Sequence, residues 1–292
     1  MKLRIHTGVA ELEAAAWDAL RPDDNPFLAH AFLAGLEETG CLQRQYGWQP
    51  CPFALYEDGR LVAAAPVYLK HNSHGEFVFD FSWANAYADH GLEYYPKLLC
   101  AVPYSPVSGP RLLVGNGSDS DRRRRALIDA LANQVAASEL SSAHVNFSSD
   151  ADVAAFKGSD WLPRFDWQFH WHNRDYADFE DFLATLTAKK RKNIRQERAQ
   201  VARAGIECSL LHGDEISDTE WQALHHLYQS TFDAHANHAT LNEAFFRHLG
   251  RSMPGQIIAV LARRQGRIIA GALFLRSSDT LYGRYWGSDE HV

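Results

Sequence analysis

The sequence predicts an α/β protein of the α+β type, built from two tandem repeats in which mixed, mostly antiparallel sheets are flanked by helices. Three observations predict this class. Two segments of the chain have the pattern of the same hairpin, a similar pair of helical segments precedes each hairpin, and 292 residues are enough for two hydrophobic cores. Hydrophobic residues make up 46% and charged residues 22% of the chain, an ordinary globular balance.

The first hairpin spans residues 56–70 (YEDGRLVAAAPVYLK) and the second spans residues 263–276 (RRQGRIIAGALFLR). Each has a polar turn with a glycine, Gly59 or Gly266, followed by an arginine and a run of apolar residues. Glycine supplies the positive φ that tight hairpin turns require. Both segments are therefore predicted to be two strands joined by a short turn.

Amphipathic helical patterns precede both hairpins. Apolar residues recur at helical spacing in residues 9–20 and 28–37 of the first half and in residues 217–232 and 241–250 of the second. Ser217 and Glu220 fit a capping box. We therefore expect residues 50–82 and 256–287 to form superimposable three-stranded antiparallel units. The alternative, that unrelated α/β segments share this pattern, stays open at this point.

The two halves differ beyond the hairpins. The first continues with a strand at 111–114, a helix at 121–140 and a strand at 143–148. The second is expected to stop soon after a strand at 281–286, so we expect an incomplete second repeat with an exposed sheet edge.

An aromatic segment and a long helix connect the halves. Residues 161–173 (WLPRFDWQFHWHN) alternate in polarity and predict a strand. Residues 176–204 predict one helix that ends at Gly205. We therefore expect a first domain at residues 1–157 and a second, incomplete domain at residues 158–292.

The long helix carries a dense basic cluster. Six cations lie within three turns around Asn193, at Lys189, Lys190, Arg191, Lys192, Arg195 and Arg198. Extending the apolar stripe of the helix places Lys189, Lys190 and Asn193 toward the protein body or a cleft, with Arg191 and Arg195 to the side. A solvated basic face and a phosphate-recognition surface are both compatible with this pattern. Like charges at helical spacing repel each other, which favours an anionic partner.

Two histidines are candidates for acid–base chemistry. On a strand, His170 and His172 share one face, and either imidazole can serve as general base for an attacking amine. A pair of structural histidines at a sheet edge is the alternative. No metal site is predicted, because the sequence does not locate a third ligand. The HANH run at 235–238 lacks the spacing of a zinc motif and is expected at an exposed helix end.

An aromatic, proline-containing loop region lies in the first half. Trp83, Tyr104 and Ser105 belong to it, and its length predicts a cleft wall or a lid that contacts substrate. No GxSxG elbow occurs in the sequence, which argues against a serine hydrolase of that type.

Three segments together resemble a known family. They are residues 81–91 (FSWANAYADHG), residues 103–113 (PYSPVSGPRLL) and residues 168–201, which contain the KKRKNIRQER element. The chain resembles the Fem-like predicted N-acyltransferases of the GNAT superfamily, a family of peptidoglycan biosynthesis or recognition. The resemblance implies two GNAT-like domains and acyl transfer, with acyl-CoA or aminoacyl-tRNA as co-substrate and no tightly bound cofactor.

The resemblance also implies roles for particular residues. In GNAT folds, the strand matched by residues 281–286 holds the arm of the acyl donor, which makes Tyr282, Gly283, Arg284 and Tyr285 the candidate donor contacts. A plain core strand explains the same aromatic residues equally well. The corresponding loop of the first repeat carries Asp119 and Asp121, which repel phosphate, so the first domain is expected to lack donor binding.

The sequence therefore predicts an N-acyltransferase that forms an amide between an acyl or aminoacyl donor and an amine acceptor. The acceptor is a small or carrier-linked amine, with a cell-wall precursor as candidate, and the basic helix is the candidate tRNA contact. The alternative is a non-catalytic recognition module for a phosphate-bearing cell-wall ligand. The sequence leaves the oligomeric state open.

Overall fold

The fold is taken from a computed structural model that describes residues 1–234 and 237–289. Residues 235 and 236 of the HANH run, and the last three residues of the predicted second domain, lie outside the described residues. The strands are β1 Lys2–Ile5, β2 Trp48–Pro50, β3 Phe53–Glu57, β4 Arg60–Ala65, β5 Val67–Lys70, β6 Lys97–Cys100, β7 Ala143–Val145, β8 Ile206–His212, β9 Ile257–Arg264, β10 Arg267–Arg276 and β11 Leu281–Ser288. The helices are α1 Ala14–Asp18, α2 His30–Glu38, α3 Phe81–Asp89, α4 Ser120–Ala137, α5 Asp150–Ala155, α6 Phe179–Ala184, α7 Ala188–Arg203, α8 Asp218–Ala234 and α9 Glu243–Ser252.

The strands of the first half form two sheets, of orders β1–β3–β4 and β2–β5–β6–β7, which are joined by one long bent hairpin. Strands β2 and β3 run antiparallel along β5 and β4; the pairing is interrupted at Pro52 and Pro66, and its register shifts between Leu55 and Tyr56. Proline has no N–H for the ladder, and the N–H of Cys51 bridges the interruption by donating to the carbonyl of Val67 at 2.8 Å. Strand β1 pairs with β3, β6 pairs with β5, and β7 lies parallel to β6.

The sheet of the second half has the order β11–β10–β9–β8, and every neighbouring pair is antiparallel. Strand β11 lies at one edge of this sheet in the part of the chain that the structure describes. Leu281 and Trp286 on this strand are 59% and 66% exposed. The expected exposed edge is therefore present at this strand.

The two hairpin turns have the same backbone conformation. Asp58 and Gly59 have φ values of 51° and 79°, and Gln265 and Gly266 have φ values of 53° and 78°. Two consecutive positive φ angles are those of a type I′ turn, which matches the twist of the flanking strands. The hairpin prediction is confirmed in both halves.

The predicted third strand is present in the second half only. Residues 71–80 form no strand, and α3 follows them. The place beside β5 is taken instead by β6, which comes from residues much later in the chain. The expectation that residues 50–82 form a three-stranded unit like residues 256–287 is therefore wrong, and the strand expected at 111–114 is reduced to a bridge between Leu113 and Ala64.

The helices of the two halves pack into a common hydrophobic core. Helix α2 lies against α9, with the rings of Phe32 and Phe245 5.5 Å apart. The approach is close at Gly35, where a Cβ atom would lie 2.4 Å from the ring of His248. His248 Nε2 is 2.8 Å from the carbonyl oxygen of Ala31. The division into domains at 1–157 and 158–292 stays a prediction.

A buried group of charged side chains lies under the segment that links β5 to β6. Lys97 donates to Glu76 at 2.8 Å and to Asp80, and the side chains of all three are fully buried. Burial raises the pKa of Glu76, with Lys97 acting in the opposite direction. Burial also acts to raise the pKa of Asp80, but the hydrogen bond and the charge of Lys97 outweigh it and lower that pKa. This buried group anchors residues 76 and 80 to the sheet.

Burial also shifts the pKa values of titratable side chains near this group. Burial lowers the pKa of Lys70 to about 7, and the ammonium lies 3.8 Å from the ring of Trp48. Burial, with the charge of Lys97, lowers the pKa of His144 to about 4. His144 Nε2 is 3.2 Å from the hydroxyl of Tyr94, which donates to Asp80 at 2.9 Å.

Gly287 is a close-approach position between β11 and α8. A Cβ atom there would lie 2.2 Å from the carbonyl oxygen of Leu227. We expect Gly287→Ala to lower the free energy of unfolding by about 1–3 kcal/mol, because the backbone of α8 must shift. Gly283→Ala on the same strand is the control, since its nearest neighbours lie at 3.6 and 3.8 Å, which is ordinary contact. Chemical denaturation measures the free energy of unfolding of both variants, and an equal loss of stability in the two would contradict the argument.

Candidate functional site

The candidate site is a cavity between the two halves of the chain, with a volume of about 490 Å³. Three loops line it, and the lining residues are Asp23, Asp24, Asn25, Ser108, Gly109, Ser278, Asp279, Thr280 and Tyr282. Asp24 holds two of these loops together, because its carboxylate accepts from the N–H of Ser278 at 2.7 Å and from its hydroxyl at 3.1 Å. The site is thus assembled from segments about 250 residues apart in sequence.

The lining of the cavity is anionic. Hydrogen bonds from Thr280 and Ser277 lower the pKa of Asp279, and Asp23 accepts from the N–H of Asn25 at 3.1 Å. Charged carboxylates repel phosphate, so the cavity is unsuited to a phosphate group and compatible with a neutral or cationic one. A phosphate-bearing partner has to contact another part of the surface.

The four residues of β11 that were predicted to contact the acyl donor lie in different surroundings. Tyr282 lines the cavity, with its ring 5.2 Å from that of Phe27. Gly283 is exposed. Arg284 is the extra residue of a bulge opposite β10, and bulges redirect side chains. Tyr285 packs into the core at 4.8 Å from the ring of Tyr228, and burial raises its pKa. Of the four, only Tyr282 reaches the cavity, and their donor role stays a prediction.

The segment with the two histidines forms no strand. Residues 161–173 have no assigned secondary structure and no ladder partner among the described residues, so the strand predicted there is wrong. Alternating polarity indicates which side chains share a face of an extended chain, but it does not provide a neighbouring strand. We call residues 161–171 the aromatic ribbon.

Two hydrogen bonds connect His170 to the cavity lining. Ser108, which lines the cavity, donates from its hydroxyl to Gln168 Oε1 at 3.3 Å, and this oxygen is 3.2 Å from His170 Nε2. The rings of His170 and His172 are 6.4 Å apart, and both side chains are exposed. The structure therefore places His170 near the rim of the cavity. Its role as general base remains a proposal.

The predicted long helix is two helices. Helix α6 ends at Ala184, and α7 begins after Thr187, whose hydroxyl accepts from the N–H of Lys190 at 3.4 Å. Arg191 fixes the junction by donating to the carbonyls of Leu183, Ala184 and Leu186 at 3.2–3.4 Å. The prediction of a single helix at 176–204 is therefore wrong. A new helix starts at Ala188, because Thr187 caps its N-terminus and Arg191 donates to the carbonyls that precede it.

The residues of the basic cluster are not oriented as the sequence predicts. Lys189, Lys190 and Asn193 are exposed, and Arg191 and Ile194 are the partly buried residues of this region. The expectation that the first three face the protein body or a cleft is wrong, since none of them lines the groove along α7, and the break before α7 changes the register of the stripe. Arg195 pairs with Glu180 of α6. A shallow groove of about 560 Å³ runs along α7, lined by Ala188, Arg191, Lys192, Arg195, Gln196, Ala199, Gln200 and Arg203.

Of the residues in the first half that were predicted to contact substrate, one lies on the surface and two lie in the core. Trp83 lies on α3 and is 54% exposed. Tyr104 and Ser105 are 4% and 2% exposed, and the Tyr104 hydroxyl donates to the carbonyl of Cys41 at 3.0 Å. These two residues therefore belong to the core and not to a cleft wall, because the loop folds back over the sheet.

Apart from Tyr282, sequence reasoning missed the residues that line the cavity. The only local signals are two turn-rich runs, RPDDNP at 21–26 and SSDT at 277–280. Nothing in either run indicates that it meets the other in space.

Among the described residues, no group of three or more His, Cys, Asp or Glu is arranged to hold a metal ion. No helix in the described ranges is long and apolar enough to cross a membrane.

Comparisons with solved structures find similar folds. The crystal structure of FemX matches with a TM-score of 0.52 at 12% identity, over 100% of this chain and 81% of that chain. The structure of L-PGS from Bacillus licheniformis matches with a TM-score of 0.45 at 11% identity, over 92% of this chain and 67% of that chain. No curated protein matches the chain. The FemX match shows a similar fold.

The family is shown by a match over nearly the whole sequence. The model of the FemAB-like family, described as peptidoglycan biosynthesis/recognition, matches residues 8–292. This range includes both hairpins, the aromatic ribbon and the basic helix. The chain belongs to the FemAB-like family.

Proposed function

We propose that the protein transfers an aminoacyl or acyl group from an ester-linked carrier to an amine acceptor and so forms an amide. In this reaction the carbonyl carbon forms a bond to the amine nitrogen and its bond to the carrier oxygen breaks. The amine loses a proton, and the carrier hydroxyl gains one. The observation that carries the proposal is the match to the FemAB-like family over residues 8–292, together with a FemX-like fold.

The proposal separates the carrier from the reacting groups. Helix α7 carries seven Lys and Arg residues and one Glu, which suits the phosphates of a tRNA carrier. The anionic cavity suits an acceptor that arrives as an ammonium ion, which releases one proton to solvent before the neutral amine attacks. His170 is within two hydrogen bonds of the cavity lining, through Gln168 and Ser108, and is the candidate to remove a proton from the attacking amine.

The test is a transfer assay with purified protein, a mixture of radiolabelled aminoacyl-tRNAs and a peptidoglycan precursor peptide that has a free amine. We expect a labelled product that survives mild base, because an amide resists the treatment that hydrolyses an aminoacyl ester. Acyl-CoA in place of aminoacyl-tRNA tests the other donor. Labelling that needs neither the acceptor amine nor the protein would contradict the proposal.

One observation favours the second candidate, a recognition module for a cell-wall precursor. His170 and His172 are exposed, and no carboxylate among the described residues makes a hydrogen bond to either ring. General bases in enzymes are usually oriented by such a partner. Saturable binding of the precursor without product from either donor would support the recognition module.

A further inference from the structure

The aromatic ribbon presents its apolar face to solvent. Four aromatic side chains occupy alternate positions, and they are exposed to 86% at Phe165, 89% at Trp167, 98% at Phe169 and 65% at Trp171. On an extended chain, alternate residues share one face. Leu162 adds an aliphatic side chain that is 83% exposed. An apolar row this exposed marks an interaction surface.

Polar residues between the aromatic ones attach the ribbon to the protein. Arg164 donates to Asp80 at 2.8 Å, and Gln168 donates to the carbonyl oxygen of Pro106. The Arg164 contact lies beside Phe79 and Phe81, whose exposed rings stack at 5.7 Å. Two polar side chains therefore tether the ribbon to the body, while all residues from 162 to 175 remain exposed.

The apolar face continues into the basic helix. The ring of Trp171 lies 6.0 Å from that of Phe182 on α6, and the guanidinium of Arg198 on α7 lies 4.5 Å from the ring of Phe179. Helix α7 has a formal charge of +6 in a chain whose net charge is −7. Exposed aromatic residues therefore adjoin the most strongly cationic element of the molecule.

From this arrangement we propose that the aromatic ribbon and α7 dock on the surface of an anionic lipid bilayer. The rings enter the boundary between headgroups and acyl chains, and the cations of α7 lie against the anionic headgroups. The inference does not depend on the proposed transfer reaction, and because both assign a partner to the cations of α7, a bilayer and tRNA would compete for that helix.

The backbone of the ribbon limits the depth of this docking. Residues 160–177 make no backbone–backbone hydrogen bond within the described ranges, and side chains satisfy only four of their N–H groups, so most of their N–H and C=O groups need water or headgroup partners. The hydrocarbon core of a bilayer offers neither, whereas the interface offers both. The ribbon therefore lies in the interface and does not span.

Charge and side-chain type favour lipid over the other occupants. A second copy of the chain would bring a second α7 with the same charge to the surface, and like charges repel. A nucleic acid would satisfy α7 and can stack bases on the rings, but it offers no apolar partner to the aliphatic Leu162. An anionic bilayer satisfies the apolar row and the cations together.

The test is co-sedimentation of the full chain with vesicles of phosphatidylcholine alone or of phosphatidylcholine with phosphatidylglycerol. We expect binding only with phosphatidylglycerol, and we expect Trp167→Ser with Phe169→Ser to weaken it about 10- to 100-fold. Trp286→Ser is the matched control, since Trp286 is an exposed tryptophan outside the ribbon. Brominated lipid should quench the tryptophan fluorescence of the wild type more than that of the double variant.

Three results would overturn the inference. Equal binding to neutral vesicles would remove the role of charge, and unchanged binding by the double variant would remove the role of the ribbon. Loss of tRNA binding by the double variant, without vesicle binding by the wild type, would make the ribbon a nucleic-acid surface. Because both rings are exposed, the double variant should keep the wild-type melting temperature, which verifies that it folds.

Discussion

Replacement of Lys97 by Met should lower the free energy of unfolding by about 3–5 kcal/mol, the cost typical of removing one partner from a buried ion pair. The change leaves Glu76 and Asp80 buried without the ammonium that both carboxylates contact. Arg164 still pairs with Asp80, whereas Glu76 loses its direct ion pair and keeps only the charge of Lys70 nearby. Chemical denaturation followed by circular dichroism measures the change.

A neutral version of the same cluster separates charge from packing. Combining Lys97→Met with Glu76→Gln and Asp80→Asn removes all three charges and keeps the side-chain volumes close to the original. We expect this triple variant to recover a large part of the stability lost by Lys97→Met, because neither carboxylate is left buried as a charge without its cation. If Lys97→Met unfolds within 1 kcal/mol of the wild type, or if the triple variant is less stable than Lys97→Met, the charged cluster does not act as argued.

Local signals explain what could be predicted from the sequence. The turns at Asp58–Gly59 and Gln265–Gly266 depend on two residues each, and glycine is the residue that tolerates their positive φ. The capping box at α8 is equally local, since the Ser217 hydroxyl and the N–H of Glu220 are 3.4 Å apart and the Glu220 carboxylate accepts from the N–H of Ser217. Such features need no information from the rest of the chain.

Features that depend on distant neighbours could not be predicted in this way. The alternation of the aromatic ribbon indicates two faces, but a strand also needs a partner, and the described residues provide none. Lys97 has the local pattern of an ordinary strand residue until Glu76 and Asp80 are placed beside it. The same holds for the cavity, where Asp24 and Ser278 meet across more than 250 residues.

In the basic helix, the prediction and the structure differ because a small local feature interrupts a longer pattern. Extending an apolar stripe assumes an unbroken helix, and Thr187 breaks it by capping α7. The break turns Arg191 toward the carbonyls at the end of α6 and leaves Lys189 and Lys190 exposed. The break thereby gives Arg191 a structural role and leaves the neighbouring lysines available for the proposed contact with phosphate.

Removal of three lysines from α7 should weaken tRNA binding at low salt about 100-fold or more. Lys189, Lys190 and Lys192 are exposed, and no hydrogen bond to the described residues holds their side chains, so their ammonium groups are free to meet phosphates. Each charge-assisted contact typically adds a factor of about ten or more, and losing three phosphate contacts lowers the slope of log K against log salt by about 2–3. Filter binding or fluorescence anisotropy over a series of salt concentrations measures both quantities.

The same variants distinguish recognition from structure within the cluster. Changing the three lysines to alanine relieves repulsion between like charges on the free helix, so the melting temperature should hold or rise. Arg191→Ala should instead lower stability by about 1–2 kcal/mol, because its guanidinium holds three carbonyls at the junction of α6 and α7. Arg60→Ala, at an exposed position of β4, removes a cation far from α7 in sequence and should change neither quantity. Unchanged tRNA affinity together with a lower melting temperature in the triple lysine variant would show that the exposed lysines are structural and that α7 does not carry the contact with the donor.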